Sequence, residues 1–119
     1  MSFFLQSMAM LLPMRIEKAL WDGDALVLSA KGWTFTTESV WRVSKDGKVL
    51  LTCWDDCAQS FVSELLDLFI VEVSWLVFQQ PIDPCFKLSD GRTLSVFCSV
   101  STDPWIMEFS DGAIYVGNT

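Results

Sequence analysis

From Phe86 to Val116 the chain reads FKLSDGRTLSVFCSVSTDPWIMEFSDGAIYV. Runs of β-branched, aromatic and aliphatic residues are broken here by two Asp-Gly pairs, Asp90-Gly91 and Asp111-Gly112. A tight hairpin turn needs positive φ, which glycine adopts without steric cost and aspartate tolerates. The stretch therefore predicts two β-hairpins in series. The first half contains a diverged counterpart. Leu26-Val27-Leu28-Ser29 answers Phe86-Lys87-Leu88-Ser89, Gly32 answers Gly91, Trp41 answers Trp105, and Asp46-Gly47 answers Asp111-Gly112. A shift of 54 residues also superposes Leu11-Leu12 on Leu65-Leu66, Ile16 on Ile70 and Trp21 on Trp75 without a gap.

Each half then reads helix, strand, hairpin, hairpin. The first helix, capped by Ser2, carries Phe4, Leu5, Met8, Leu11 and Leu12 on one face and ends near Pro13. The second is expected to start at Asp55-Asp56, with Asp56 and Gln59 at capping-box spacing. It continues through the stripe Phe61, Val62, Leu65, Leu66 and Phe69. Strands are expected over residues 15–21, 25–30, 33–37, 41–43, 49–52, 70–78, 93–99, 105–109 and 113–116, with one ending at Leu88. The fold class is α+β. Two repeated units, about residues 1–54 and 55–119 with one short helix each, form a single domain. Their strands join in one antiparallel sheet or two facing sheets beneath the helices. An open sheet edge would let two copies dimerise.

Half the residues are hydrophobic, 51%, which excludes disorder, yet no run approaches the ~20 apolar residues of a spanning helix. The apolar start lacks a basic segment and a clean cleavage site, so it reads as a packed helix and not as a leader. The expected location is the cytoplasm, with Cys53, Cys57, Cys85 and Cys98 as free thiols. One close cysteine pair without histidine is a poor zinc pattern, and no cofactor is expected. Histidine is absent, which removes the commonest general base. Most acids neighbour turn glycines, which accounts for them without chemistry. The chain is not read as an enzyme.

The net charge of −7 is uneven. Residues 1–59 carry six basic and seven acidic residues, whereas residues 60–119 carry Lys87 and Arg92 against eight acids. Phosphate repulsion argues against nucleic acid, while an acidic surface suits a basic protein partner. The loops 79–84 and 100–104 are longer than their first-half counterparts and bring Asp83 and Asp103, the preferred partner-binding residues together with Asp90. Glu72 and Glu108 are lesser candidates. Trp54 and Trp33 join them, because each lacks a matching tryptophan in the other half and tryptophan is enriched at binding hot spots.

The run Leu88-Ser89-Asp90-Gly91-Arg92-Thr93-Leu94, followed by Val96-Phe97 and Trp105, resembles small bacterial immunity proteins found beside polymorphic and contact-dependent toxins. Trp41-Arg42-Val43 with Asp46-Gly47 adds to the likeness. The resemblance implies neutralisation of a cognate toxin, often a nuclease with a basic cleft, by direct binding. The alternative is a small-ligand or regulatory module with a pocket between the two repeats.

Overall fold

The computed structural model describes residues 3–77, 80–99 and 103–117. It is α+β: two short helices and eleven strands in two antiparallel sheets. Helix α1 is Phe3–Leu11, followed by β1 Met14–Arg15, β2 Lys18–Trp21, β3 Leu26–Ala30, β4 Trp33–Thr37, β5 Val40–Lys45 and β6 Lys48–Thr52. Helix α2, Ala58–Val62, runs into a 3-10 turn, Ser63–Leu65. The remaining strands are β7 Phe69–Trp75, β8 Pro84–Leu88, β9 Thr93–Phe97, β10 Trp105–Phe109 and β11 Ile114–Val116. Among the described residues no helix is long and apolar enough to cross a membrane. Ser2, the expected cap of the first helix, lies outside the described residues.

The first sheet has the order β1-β7-β8-β9-β5-β6 and the second β11-β10-β4-β3-β2. Each sheet joins a three-stranded meander from one half to a hairpin from the other. In the second sheet β2-β3-β4 receives β10-β11; in the first, β7-β8-β9 receives β5-β6. The register carries the same exchange. Val43 lies opposite Leu94, Leu94 opposite Phe86 and Phe86 opposite Val73 in the first sheet. Met107 lies opposite Phe35, Phe35 opposite Leu28 and Leu28 opposite Ala19 in the second. The two rows end on Val73 and Ala19, 54 residues apart, the offset that also superposes α1 on α2. The rows set Leu28 where the other half has Phe86. The sequence match of Leu26 with Phe86 is thus two residues out. The cause is turn length: Ala30 pairs directly with Trp33, whereas the Leu88 N–H reaches across to the Arg92 carbonyl.

The predicted strand over residues 15–21 is in fact two strands in two sheets. The Ile16 N–H donates to the Leu68 carbonyl and its carbonyl accepts from the Asp67 N–H, which continues the β1–β7 ladder. One residue later the Glu17 N–H donates to the Ser29 carbonyl, in the other sheet. The second helix departs from expectation too. Asp55 spends its carboxylate on the Thr52 N–H, and Asp56 makes no cap; Cys57 holds the N-cap position without a side-chain bond. The helix stops early because Asp67, at φ 68°, turns the chain so that the following residues can pair with β1. Leu66 and Phe69 are consequently exposed instead of extending the stripe. The strand expected to reach Phe78 ends at Trp75, where the Leu76 N–H donates to the Asp83 carbonyl and closes the loop; Phe78 lies outside the described residues.

Strand alternation sends one set of side chains inward. Trp33, Phe35, Trp105 and Met107 from the second sheet meet Trp41, Val43, Phe86, Leu94 and Val96 from the first in one buried cluster. The Phe35 and Phe86 rings touch across the two sheets at 4.9 Å, edge to face. Helix α1 packs on β7 and α2 on β2, so each helix covers the meander of the opposite half. The Asp46-Gly47 turn takes φ 54° and 79° between the paired residues Lys45 and Lys48, the geometry that the sequence requires there.

Two glycine substitutions should separate conformational strain from steric conflict. A Cβ on Gly47 meets nothing within 4 Å, so Gly47→Ala carries only the cost of positive φ, about 1 kcal/mol. A Cβ on Gly117 would drive into the buried Trp105 indole, which cannot give way, so Gly117→Ala should cost about 2–3 kcal/mol. Urea midpoints of the two variants measure the difference, and equal midpoints would contradict it.

Candidate functional site

Strand β2 lies at the edge of its sheet, and α2, from the other half of the chain, lies beside it. Between them runs a groove of about 370 Å³ lined by Ala19, Leu20, Trp21, Ala25, Val27, Gln59 and Ser63, with Asp22 at one end. Five of these eight residues are apolar, and Asp22, Gln59 and Ser63 are polar. Leu20 is 63% exposed on its rim. The β2–β3 turn is built by Asp22, whose Oδ1 accepts the Asp24 and Ala25 N–H groups at 2.8 Å each. Those bonds hold the Asp22 carboxyl below its ordinary pKa, so it stays charged at the mouth of the groove.

Trp21 stands over Trp41, ring centroids 5.2 Å apart and nearly perpendicular. Their counterparts Trp75 and Trp105 also touch, at 6.3 Å. The surroundings of the two pairs differ. Phe4 lies against both Trp75 and Trp105, at 5.6 and 4.8 Å, and Tyr115 closes on Phe4 at 5.9 Å. At the 54-residue offset Phe4 falls on Ala58, which is also buried, and the partly buried Leu5 falls on the exposed Gln59. The Trp105 Nε1–H donates to the Ile82 carbonyl, whereas the buried Trp41 Nε1–H has no acceptor among the described residues. Ala58, at the offset of Phe4, brings no ring to the first-half pair.

The residues singled out from sequence do not converge on one surface. Trp54 is 74% exposed, at the head of α2 and followed by the exposed Asp55 and Asp56. Trp33 is not an interface residue: it begins β4 on the same face as Phe35 and is buried. Asp83 holds the fold, its Oδ1 accepting the Cys98 N–H at 2.7 Å and its carbonyl accepting from Leu76. Asp103 is exposed at the same end of the molecule, two residues before Trp105, whose indole binds Ile82. Residues 100–102 of its loop lie outside the described residues. Asp90 sits in the turn at the opposite end of β8, separated from Asp83 by the length of a five-residue strand, ~17 Å. It is bound to Arg92 through Nε at 2.6 Å. Burial works to raise the Asp90 pKa, but the Arg92 N–H and guanidinium outweigh it and leave it lowered. Glu72 lies opposite Lys87 beside a bulge, and Glu108 is exposed opposite Thr34 and Ile114. Of the seven residues, Trp54 alone lies just ahead of α2, and none of the seven lines the groove.

The match of Trp21 with Trp75 gives no hint of the groove; the sequence signal is Gln59, a polar lining residue that the 54-residue offset sets against Leu5. Among the described residues no group of three His, Cys, Asp or Glu stands together to hold a metal ion. Cys85 donates to the Ser95 hydroxyl at 3.3 Å, and burial pushes its thiol pKa up. Burial, then the adjacent Asp83 carboxylate, pushes Cys98 up to about 12. No family model, curated protein or solved structure matches the chain.

Cys57 is exposed, so Ellman's reagent at about pH 8 should label it well ahead of Cys85 and Cys98, which stay thiols at that pH. Comparable native-state rates for all three would contradict this. Acid should also find Asp22. A carboxyl with a lowered folded-state pKa contributes stability that is present above about pH 4 and lost as pH falls through the lowered value. Asp22→Asn keeps an acceptor but cannot titrate, so its stability, followed by urea unfolding from neutral pH down to acid, should fall less steeply than that of the parent.

Proposed function

We propose that this protein is a cytoplasmic, non-enzymatic binding protein of the immunity type, built from two copies of one unit, which neutralises a toxin by direct contact. The observation that carries the reading is Trp54, a large aromatic left 74% exposed on a folded surface and flanked by Asp55 and Asp56. Aromatic anchors of this kind dominate binding energy once desolvated by a partner. The flanking acids, with Asp22 at the groove and a net charge of −7, favour a basic partner and speed its approach. Asp83 and Asp90 lie at opposite ends of β8 and cannot act with Asp103 as one acidic grip, so Trp54, Asp55 and Asp56 form the contact.

The groove also favours a second reading, a small-ligand module. It lies between β2–β3 of the first half and α2 of the second, where such a pocket is expected. Its exposed rim and the absence of Trp33 and Trp54 from its lining suit a protein surface better than an enclosed ligand site.

The reading requires a toxin domain encoded beside this gene, whose expression arrests growth and whose effect co-expression of this chain reverses. In calorimetry with the purified domain, Trp54→Ala should raise Kd at least about tenfold while changing stability by no more than about 0.5 kcal/mol. Arrest that persists on co-expression overturns the immunity reading; an unchanged Kd for Trp54→Ala removes the anchor from it.

A further inference from the structure

We infer that the outer face of the second sheet is the contact between two copies of this chain, packed sheet on sheet. The core takes the inner face of each sheet. On the outer face of the second, one row of side chains crosses all five strands, Leu20, Val27, Thr36, Ile106 and Val116, each opposite the next in the register. The first sheet has a row in the same place: Ser74, Cys85, Ser95, Arg42 and Thr52. Both rows lie one residue along each strand from the corresponding core rows. Their geometry is the same and their chemistry is not. The first sheet turns no aliphatic side chain outward in this row, whereas the second turns out four, with Leu20 and Val116 exposed at its two ends. An antiparallel sheet with one face in water carries polar side chains there, as the first sheet does. A continuous aliphatic row on such a face marks an interaction surface.

The neighbouring row on the same face identifies the occupant. It runs Lys18, Ser29, Thr34, Glu108, Ile114. Lys18 and Glu108 are its charged members; both are exposed, and neither has an ion-pair partner among the described residues. Together the two rows are neutral on a molecule of net charge −7. A basic partner finds its complement at the acids, whereas a second acidic copy needs a neutral place to approach. The two charges also complement each other under two-fold symmetry, in which residue i meets j and j meets i. In the order β11-β10-β4-β3-β2, an axis parallel to the strands between β3 and β4 sets β4 on β3 and β10 on β2 of the second copy. Lys18 then faces Glu108 of the second copy, and Glu108 faces Lys18. Leu20 likewise faces Ile106, and Val27 faces Thr36. Aligned packing of this kind is one of the two ways in which sheets stack. Five strands give a face ~19 Å across, small for a specific interface, so the dimer is weak and reversible.

The inference goes beyond the toxin-binding reading and does not rest on it. Trp54 follows β6, in the other sheet, and the test uses this protein alone. Sedimentation velocity from ~5 to ~500 μM should show a reversible monomer–dimer equilibrium with a Kd of about 10–100 μM. Lys18→Glu sets like charges against each other at both two-fold contacts and should weaken the dimer about tenfold or more, as should Glu108→Lys. An equimolar mixture of the two variants pairs opposite charges at both contacts again. It should associate within about threefold of the parent's affinity. Thr36→Arg, on a side chain that faces away from the core, puts a charge at the centre of the face and should leave monomer alone. All three positions lie on the outer face, so the monomer's fold is kept in each variant. Monomer throughout the concentration range, a dimer that persists in Thr36→Arg, or a mixture that stays monomeric each overturns the inference.

Discussion

The molecule turns on the antiparallel pairing of residues 14–16 with residues 68–70. Met14 faces Ile70, Arg15 faces Phe69, and the Ile16 backbone closes on Leu68 and Asp67. Among the described residues this is the one ladder whose two segments are themselves 54 residues apart: 14 falls on 68, 15 on 69 and 16 on 70. Its anchors Met14, Ile16 and Ile70 are buried. The chain on either side then diverges, β2 into the second sheet and β7 along the first. With the crossing fixed, each meander lies face to face with its counterpart and Phe35 reaches Phe86. It also brings each helix onto the other half's outer strand, α1 onto β7 and α2 onto β2. The groove is a product of that placement, since one wall comes from residues 19–27 and the other from Gln59 and Ser63.

Much of the architecture was legible because it is locally encoded. Asp46-Gly47 and Asp111-Gly112 each sit in a hairpin turn, and the alternation in Trp33-Thr34-Phe35-Thr36-Thr37 yields a strand with an inner and an outer face. What was not legible depends on partners far along the chain. Nothing local in Arg15-Ile16-Glu17-Lys18 announces that Ile16 bonds one sheet and Glu17 the other. The capping-box spacing of Asp56 and Gln59 is a local signal that the helix does not use, since it begins one residue later, with Cys57 at the N-cap position and no side-chain cap bond. Trp33 looked unpaired in sequence because its counterpart is not a tryptophan, and an inward-facing residue needs no tryptophan opposite it to be buried.

The same reasoning explains why an acidic grip could not be read from charge alone. Composition sees Asp83, Asp90 and Asp103 as one group within an acidic half. The fold places Asp83 and Asp90 at the two ends of β8 and uses each for internal bonds, to the Cys98 N–H and to Arg92. A carboxylate that already accepts a short hydrogen bond from its own chain has less to offer a partner. Trp54, by contrast, is exposed with its neighbours Asp55 and Asp56 and has no internal partner ring among the close aromatic pairs of the described residues.

The exchange of hairpins between sheets bears on how the chain folds as it is made. When the first half leaves the ribosome, β4 has no β10 beside it, and the β5–β6 hairpin has no β9 to dock on. Neither sheet can be completed from the N-terminal half, because each needs strands from the second half. Until those strands emerge, Phe35 lacks Phe86 across the core, and the free edges of β4 and β5 stand open to other chains. Both sheets depend on contacts distant in sequence, which makes the partly made chain, more than the folded one, open to aggregation.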